Sequence, residues 1–231
     1  MDFFHITDQQ LYQSHSGDFT DDLDFYLKFC QGHSTLELFA GYGRVSNHLT
    51  SHGVELETVE ISPFFSDQIQ LPSSRKHVCD VRTFSSPKRF SRLFAAYNSF
   101  CLFTNDVDLR GLFRLIDQHL EPGGRASLNY YHPDYWGEAV EGDFELNGQW
   151  VNYIPAFDLS RRNEKQGIWT DIYSVDEGAR ECSLSVRIVE DERDLLPFLE
   201  GLNLTLIQRV ENFNRDNVVE PGWIDFIFEK Y

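Results

Sequence analysis

Basic residues are scarce. Lysine and arginine total 20 against 37 acids, a formal charge of −17, and no basic block is longer than Arg161-Arg162. Nucleic-acid binding draws most of its affinity from cations that neutralise phosphates. A polyanion would be repelled over most of this surface, so nucleic acid is not an expected partner. Long apolar runs are missing too. Nothing approaches a membrane span, and Met1-Asp2-Phe3-Phe4-His5 lacks the basic start and apolar core of a signal peptide. No membrane partner is expected. The four cysteines (Cys30, Cys79, Cys101, Cys182) are far apart and match neither a zinc signature nor a disulfide framework. No metal is expected, and the expected compartment is a reducing cytoplasm.

What is present points to one folded unit. A chain of 231 residues, 41% hydrophobic and rich in phenylalanine, can bury a sizeable core. It is organised around Thr35-Leu36-Glu37-Leu38-Phe39-Ala40-Gly41-Tyr42-Gly43-Arg44. An apolar run ends in an acid, two glycines follow, and Val45 to His52 has helical spacing. That is a strand, a tight turn and a helix start, in which backbone comes close to a bound nucleotide. Gly41 and Gly43 supply turn conformations that a side chain would hinder.

Ahead of this turn, Thr20 is placed to cap a helix from Asp21 to about Cys30, and Leu11 to Phe19 reads as irregular. Beyond it, Glu55 to Glu60 is strand-like, Ser62 to Leu71 a weak helix opened by Pro63, and Lys76 to Cys79 a short strand. Leu93 to Tyr97 reads as a buried strand. Asp106 to Leu120 has the strongest helical periodicity, stopped at Glu121-Pro122-Gly123-Gly124, and Arg125 to Tyr130 is another strand. Strands alternating with helices imply a parallel sheet covered on both faces. From Asp143 to Val189 the pattern changes to extended runs, Gln149 to Asp158, Gly167 to Val175 and Arg180 to Val189. Asn147-Gly148 and Asp176-Glu177-Gly178 mark turns. Arg193 to Gly201 reads as a helix, and Leu204 to Val210 and Trp223 to Glu229 as closing strands.

Glu37 to Arg44 resembles the first motif of the class I S-adenosylmethionine-dependent methyltransferases. The resemblance continues in order through Val59-Glu60-Ile61-Ser62, Cys79-Asp80-Val81, Asn98-Ser99-Phe100 and Leu120-Glu121-Pro122-Gly123-Gly124-Arg125, over roughly the first two thirds of the chain. It departs at Phe39, where the family usually has its first glycine. The fold it implies is α/β, a Rossmann-like class I methyltransferase sheet with an antiparallel last strand and an inserted antiparallel β excursion. One domain would then comprise a helical entry segment (1–33), a cofactor-binding core (34–142), the excursion over the substrate site (143–190) and the closing helix and strands (191–231).

The implied cofactor is S-adenosyl-L-methionine, leaving as S-adenosyl-L-homocysteine. A dinucleotide enzyme usually has a third glycine where Ser46 stands, and Glu37 would repel a diphosphate while attracting the ammonium of a methionine moiety. Glu60 is placed for the ribose hydroxyls, and Asp80 for the adenine amino group, with Ile61, Val81 and Phe100 as apolar walls. Ala40, Gly41 and Gly43 form the turn, Asn98 and Ser99 line the methyl-bearing end, and Tyr12 closes over the cofactor. Asn98 also suits a loop cap.

The substrate side comes from segments beyond the strand ends. His15, Tyr130, Tyr131 and Trp150 are nominated, together with Tyr153, Trp169 and Tyr173 on the excursion; these aromatics equally suit cross-strand packing. His132 is the candidate base, or a loop histidine before Pro133. Methyl transfer needs near-attack positioning and exclusion of water more than a triad or a metal. The expected acceptor is a nitrogen or oxygen of a small molecule. A cofactor-binding or dimer-forming module, a macromolecule-modifying methyltransferase and a nicotinamide oxidoreductase are the rival readings.

Overall fold

The computed structural model describes residues 6–139, 141–175, 178–215 and 222–231. In chain order its elements are α1 (Asp8–Ser16), α2 (Leu23–Cys30), β1 (Thr35–Leu38), α3 (Arg44–Ser51), β2 (Leu56–Glu60), α4 (Pro63–Ser66), β3 (Lys76–Val78) and β4 (Phe90–Ala95). Then come α5 (Asp106–His119), β5 (Leu120–Tyr131), β6 (Gly142–Leu146), β7 (Gln149–Asp158), β8 (Gln166–Val175), β9 (Gly178–Arg187), β10 (Leu204–Glu211) and β11 (Trp223–Lys230).

All four residues of β1 are buried, as they must be in a central strand covered on both faces. The main sheet runs β10-β11-β5-β4-β1-β2-β3. β3, β2, β1, β4 and β5 are parallel, whereas β11 pairs antiparallel with both β5 and β10. Strand order reverses between β1 and β4, whose following helices α3 and α5 pack on opposite faces, and open sheets bind ligands at such a point. One face is closed by α5, whose Leu109, Leu112, Phe113 and Ile116 enter the main core. The other is closed by α2 and α3, through Tyr26, Cys30, Val45 and Leu49.

The excursion is a separate antiparallel sheet, β6-β7-β8-β9. Asn147 and Gly148 both take positive φ, 55° and 81°, in the two-residue loop between β6 and β7; that is the backbone a tight hairpin demands. Of the other expected turn, Asp176 and Glu177 lie outside the described residues.

Several local expectations are corrected. Leu11 to Phe19 is not irregular throughout, because a capping box between Thr7 and Gln10 starts α1. Thr20 does not cap α2, which begins after Asp22. The weak helix after Ser62 is a single turn, Pro63–Ser66. Between Arg193 and Gly201 only short 3-10 turns form, at Glu192–Asp194 and Leu196–Phe198. Pro197 cannot donate the backbone bond a continuing α-helix requires.

Candidate functional site

The turn after β1 is built from left-handed backbone. Phe39, Gly41 and Gly43 have φ of 56°, 57° and 86°. A Cβ at Gly43 would stand 2.9 Å from Ile69 Cγ1 and 3.2 Å from the Asn47 amide, whereas one at Gly41 would meet nothing within 4 Å. Phe39 holds this backbone despite its side chain, against a cost of about 1–2 kcal/mol, and packs edge-on against Phe103 at 5.4 Å. Gly43→Ala adds both positive-φ strain and a collision. It is expected to lower unfolding free energy by about 2 kcal/mol in urea titration, and a loss under about 0.5 kcal/mol would refute this account of the turn.

Glu60 fastens the turn to β2. Its Oε2 accepts from Gly41 N at 2.8 Å and its Oε1 from Ser62 N at 2.7 Å. Glu37, 3% exposed, accepts from Ser46 Oγ. Burial pushes its carboxyl up to about 8, against the opposing effect of Ser46, so at neutral pH it is largely protonated. At the end of β3, Asp80 accepts from Arg82 N and pairs with the Arg82 guanidinium at 2.5 Å, which holds its carboxyl below the usual range. A cavity of about 150 Å³ lies alongside, lined by Val81, Arg82, Phe84, Phe103, Leu112 and Leu115 among others. Ile61 is exposed.

Beyond β4, Tyr97 and Asn98 both adopt positive φ, 55° and 59°. Asn98 bridges to β5: its N donates to Asn129 Oδ1 and its Oδ1 accepts from Tyr131 N. Ser99 Oγ donates to Ala96 O at 2.6 Å.

The entry segment lies across these strand ends. Arg44 grips Asp22 with two bonds of 2.5 and 2.7 Å and donates to Phe19 O. Its guanidinium lies over the rings of Phe19 and Tyr97, and Tyr97 stacks on Trp223. On α1, Tyr12 sits among Tyr42, Phe65 and His15, with centroids 6.2, 6.0 and 5.4 Å away. Ser16 Oγ and Tyr42 OH are 3.1 Å apart, and Gln13 donates to Gln68. His15 stacks on Tyr153 at 4.3 Å and shares a 2.8 Å bond with Tyr173 OH. Burial lowers the His15 pKa and favours the neutral ring. Alternation on β8 turns Trp169, Asp171 and Tyr173 to one face. There Asp171 accepts on Oδ1 from both Tyr153 OH and Trp169 Nε1, each at 2.9 Å.

Tyr12, His15, Tyr153, Trp169 and Tyr173 are thus gathered together, and four other nominated residues stand elsewhere. Phe100 is wholly buried in the main core, so it is no exposed pocket wall. Tyr130 is buried and stacked on Phe226, because the strand alternation that points Asn129 one way points Tyr130 the other. Trp150, 67% exposed, alternates to the opposite side of β7 from Val151 and Tyr153. His132 caps the turn that follows it by accepting from Asp134 N, and its Nε2 lies 3.1 Å from Glu190 O. With both ring nitrogens so engaged it is a capping residue, which corrects its nomination as base. Tyr131 lies between Trp223 and Trp169 and donates to Tyr135 O. Sequence reasoning passed over Asp171, though an acid at the middle of Trp169-Thr170-Asp171-Ile172-Tyr173, sharing a face with two aromatics, was a readable signal.

No protein-family model and no curated protein matches the sequence. Solved structures do match the fold over nearly its whole length. The chain is similar to the CcbJ methyltransferase from Streptomyces caelestis, with 93% of this chain and 89% of that one covered at 21% identity and a TM-score of 0.73. An S-adenosylmethionine-dependent methyltransferase from Clostridium acetobutylicum matches over 99% and 97% of the two chains, at 15% identity and a TM-score of 0.72. CalS10 from Micromonospora echinaspora, an amino pentose methyltransferase solved with S-adenosylmethionine bound, is covered completely, as is this chain, at 14% identity and a TM-score of 0.71. The fold is that of the class I methyltransferases. Within this methyltransferase fold the antiparallel β11, with β10 paired antiparallel beyond it, completes the sheet, as the sequence resemblance implied. The left-handed Phe39 shows what backbone its first turn requires.

Proposed function

We propose that the protein is an S-adenosylmethionine-dependent methyltransferase acting on a nitrogen or oxygen of a small molecule. The observation that carries this reading is Glu60, which anchors the glycine turn with one backbone donor on each oxygen. Each oxygen retains a lone pair, which suits a pair of ribose hydroxyls. The residues present fit the cofactor: Gly41 offers open space where a side chain would stand.

S-adenosylmethionine, when bound, supplies a methyl carbon already activated by a sulfonium. The chain's own residues then have to bind, orient and keep water out. Gly41 lets backbone approach the ligand, Asp80 and Val81 stand at the adenine end, and α1 covers the turn through Tyr12 and Ser16. The electron-rich faces of Tyr12 and Tyr97 favour a cation nearby.

Calorimetric titration with S-adenosylhomocysteine tests the reading. The wild type is expected to bind well below about 1 mM, and Glu60→Ala to bind at least tenfold more weakly, since a hydrogen bond to a charged group contributes about 1.5–3 kcal/mol. NADH is expected not to bind. Millimolar or weaker binding, indifferent to Glu60→Ala, would overturn the proposal.

A further inference from the structure

Asp171 presents a buried carboxyl group with no ion-pair partner among the described residues. The residue is 7% exposed. Both of its donors, Tyr153 OH and Trp169 Nε1, converge on Oδ1. Oδ2 receives no hydrogen bond among the described residues. A carboxylate withdrawn from water is costly unless a cation or donors compensate it, and here only one of two oxygens is served.

Its setting is specific. Tyr153, which donates to it, stacks on His15 of α1 at 4.3 Å, and His15 in turn bonds Tyr173 OH and lies 5.4 Å from the ring of Tyr12. Asp171 therefore stands where the excursion meets the entry helix, which also touches the glycine turn through Ser16 and Tyr42. A carboxylate with one oxygen unserved, set among aromatic side chains, matches the chemistry of a cationic nitrogen.

We infer that Oδ2 of Asp171 receives an N–H of the methyl acceptor, so that the group methylated is an amine. This rests on the methyltransferase reading above and narrows it from nitrogen or oxygen to nitrogen. The amine binds as an ammonium and must first release one proton to solvent. The neutral amine then gives its lone pair to the methyl carbon while the carbon–sulfur bond breaks and its electron pair stays on sulfur. The nitrogen emerges cationic with its remaining proton attached, so no base is needed in the transfer itself. Positive charge develops one hydrogen bond away from Asp171, which stabilises it and directs the lone pair. A hydroxyl acceptor would instead have to lose its proton, and a carboxylate is a poor acceptor for it.

Calorimetry on protein saturated with S-adenosylhomocysteine separates the possibilities, with benzylamine and benzyl alcohol as probes of one shape and different charge. Benzylamine is expected to bind at least tenfold more tightly at pH 7. Asp171→Asn, which retains an Oδ1 for Tyr153 and Trp169, is expected to abolish the preference while S-adenosylhomocysteine affinity stays within twofold. The charge contrast in the wild type needs no variant, so a misfolded Asp171→Asn leaves the test intact. Equal or undetectable binding of the two probes, with S-adenosylhomocysteine bound normally, overturns the amine assignment and leaves the methyltransferase reading standing. Failure of S-adenosylhomocysteine itself to bind removes both.

Discussion

With glutamine at position 37, the loss of stability that Glu37 imposes between pH 6.5 and 8 is expected to disappear. Glu37 is buried and its carboxyl is raised from an ordinary 4.5 to about 8. As pH climbs through 4.5 the unfolded chain sheds this proton while the folded chain keeps it. Stability therefore falls by up to about 1.4 kcal/mol per pH unit until the folded group ionises near 8, a total of about 5 kcal/mol. Asp225, raised to about 6 by burial, contributes in the same direction but only up to that pH. His15, His33 and His48 are lowered from 6.5, so their contribution rises with pH until about a unit above 6.5 and opposes that of Glu37. It is common to both proteins and cancels in the comparison. The unfolding free energy of Glu37→Gln relative to wild type, from urea titration, is expected to rise by about 2 kcal/mol between pH 6.5 and 8. A difference between the two proteins that stays constant over this range would sink the account.

Arg44→Ala is the second large effect. Asp22 is 1% exposed and its carboxylate is held by both terminal nitrogens of Arg44. Removing the guanidinium strands that charge and also takes away the donor to Phe19 O and the cation over two rings. The expected loss is about 3–5 kcal/mol, or about 10 °C in Tm. The double variant Asp22→Ala/Arg44→Ala is expected to be more stable than Arg44→Ala alone, because it leaves no orphaned charge. Simple additivity in that thermal-melt cycle would mean the pair is not coupled as described.

What could be read in the chain was what neighbours in sequence determine. The glycine turn, the Asn147-Gly148 hairpin, the helix at Asp106 and strand β7 are dictated by local backbone preference and periodicity. What could not be read depends on distant partners. Residues of α1 look irregular until Leu11 joins the apolar cluster of Ile6, Val151, Tyr153 and Tyr173, supplied from the far half of the chain. Tyr130 and His132 were nominated from their position beyond the fifth strand. Pairing with β11 sets which face each one takes, and Asn129 rather than Tyr130 turns towards buried Asp225. Asp171 was hidden for the same reason: a strand announces two faces but not which will be covered. Pro197 shows the converse, since a helical pattern at Arg193 to Gly201 yields to one residue that lacks an N–H.

The nine-residue α1 touches the glycine turn through Ser16 and Tyr42, and the excursion through His15, Tyr153 and Tyr173. On the proposed reading one short helix latches two compartments together. Loosening the helix at one end slackens its hold at the other, so the donor and acceptor sides cannot be disturbed independently.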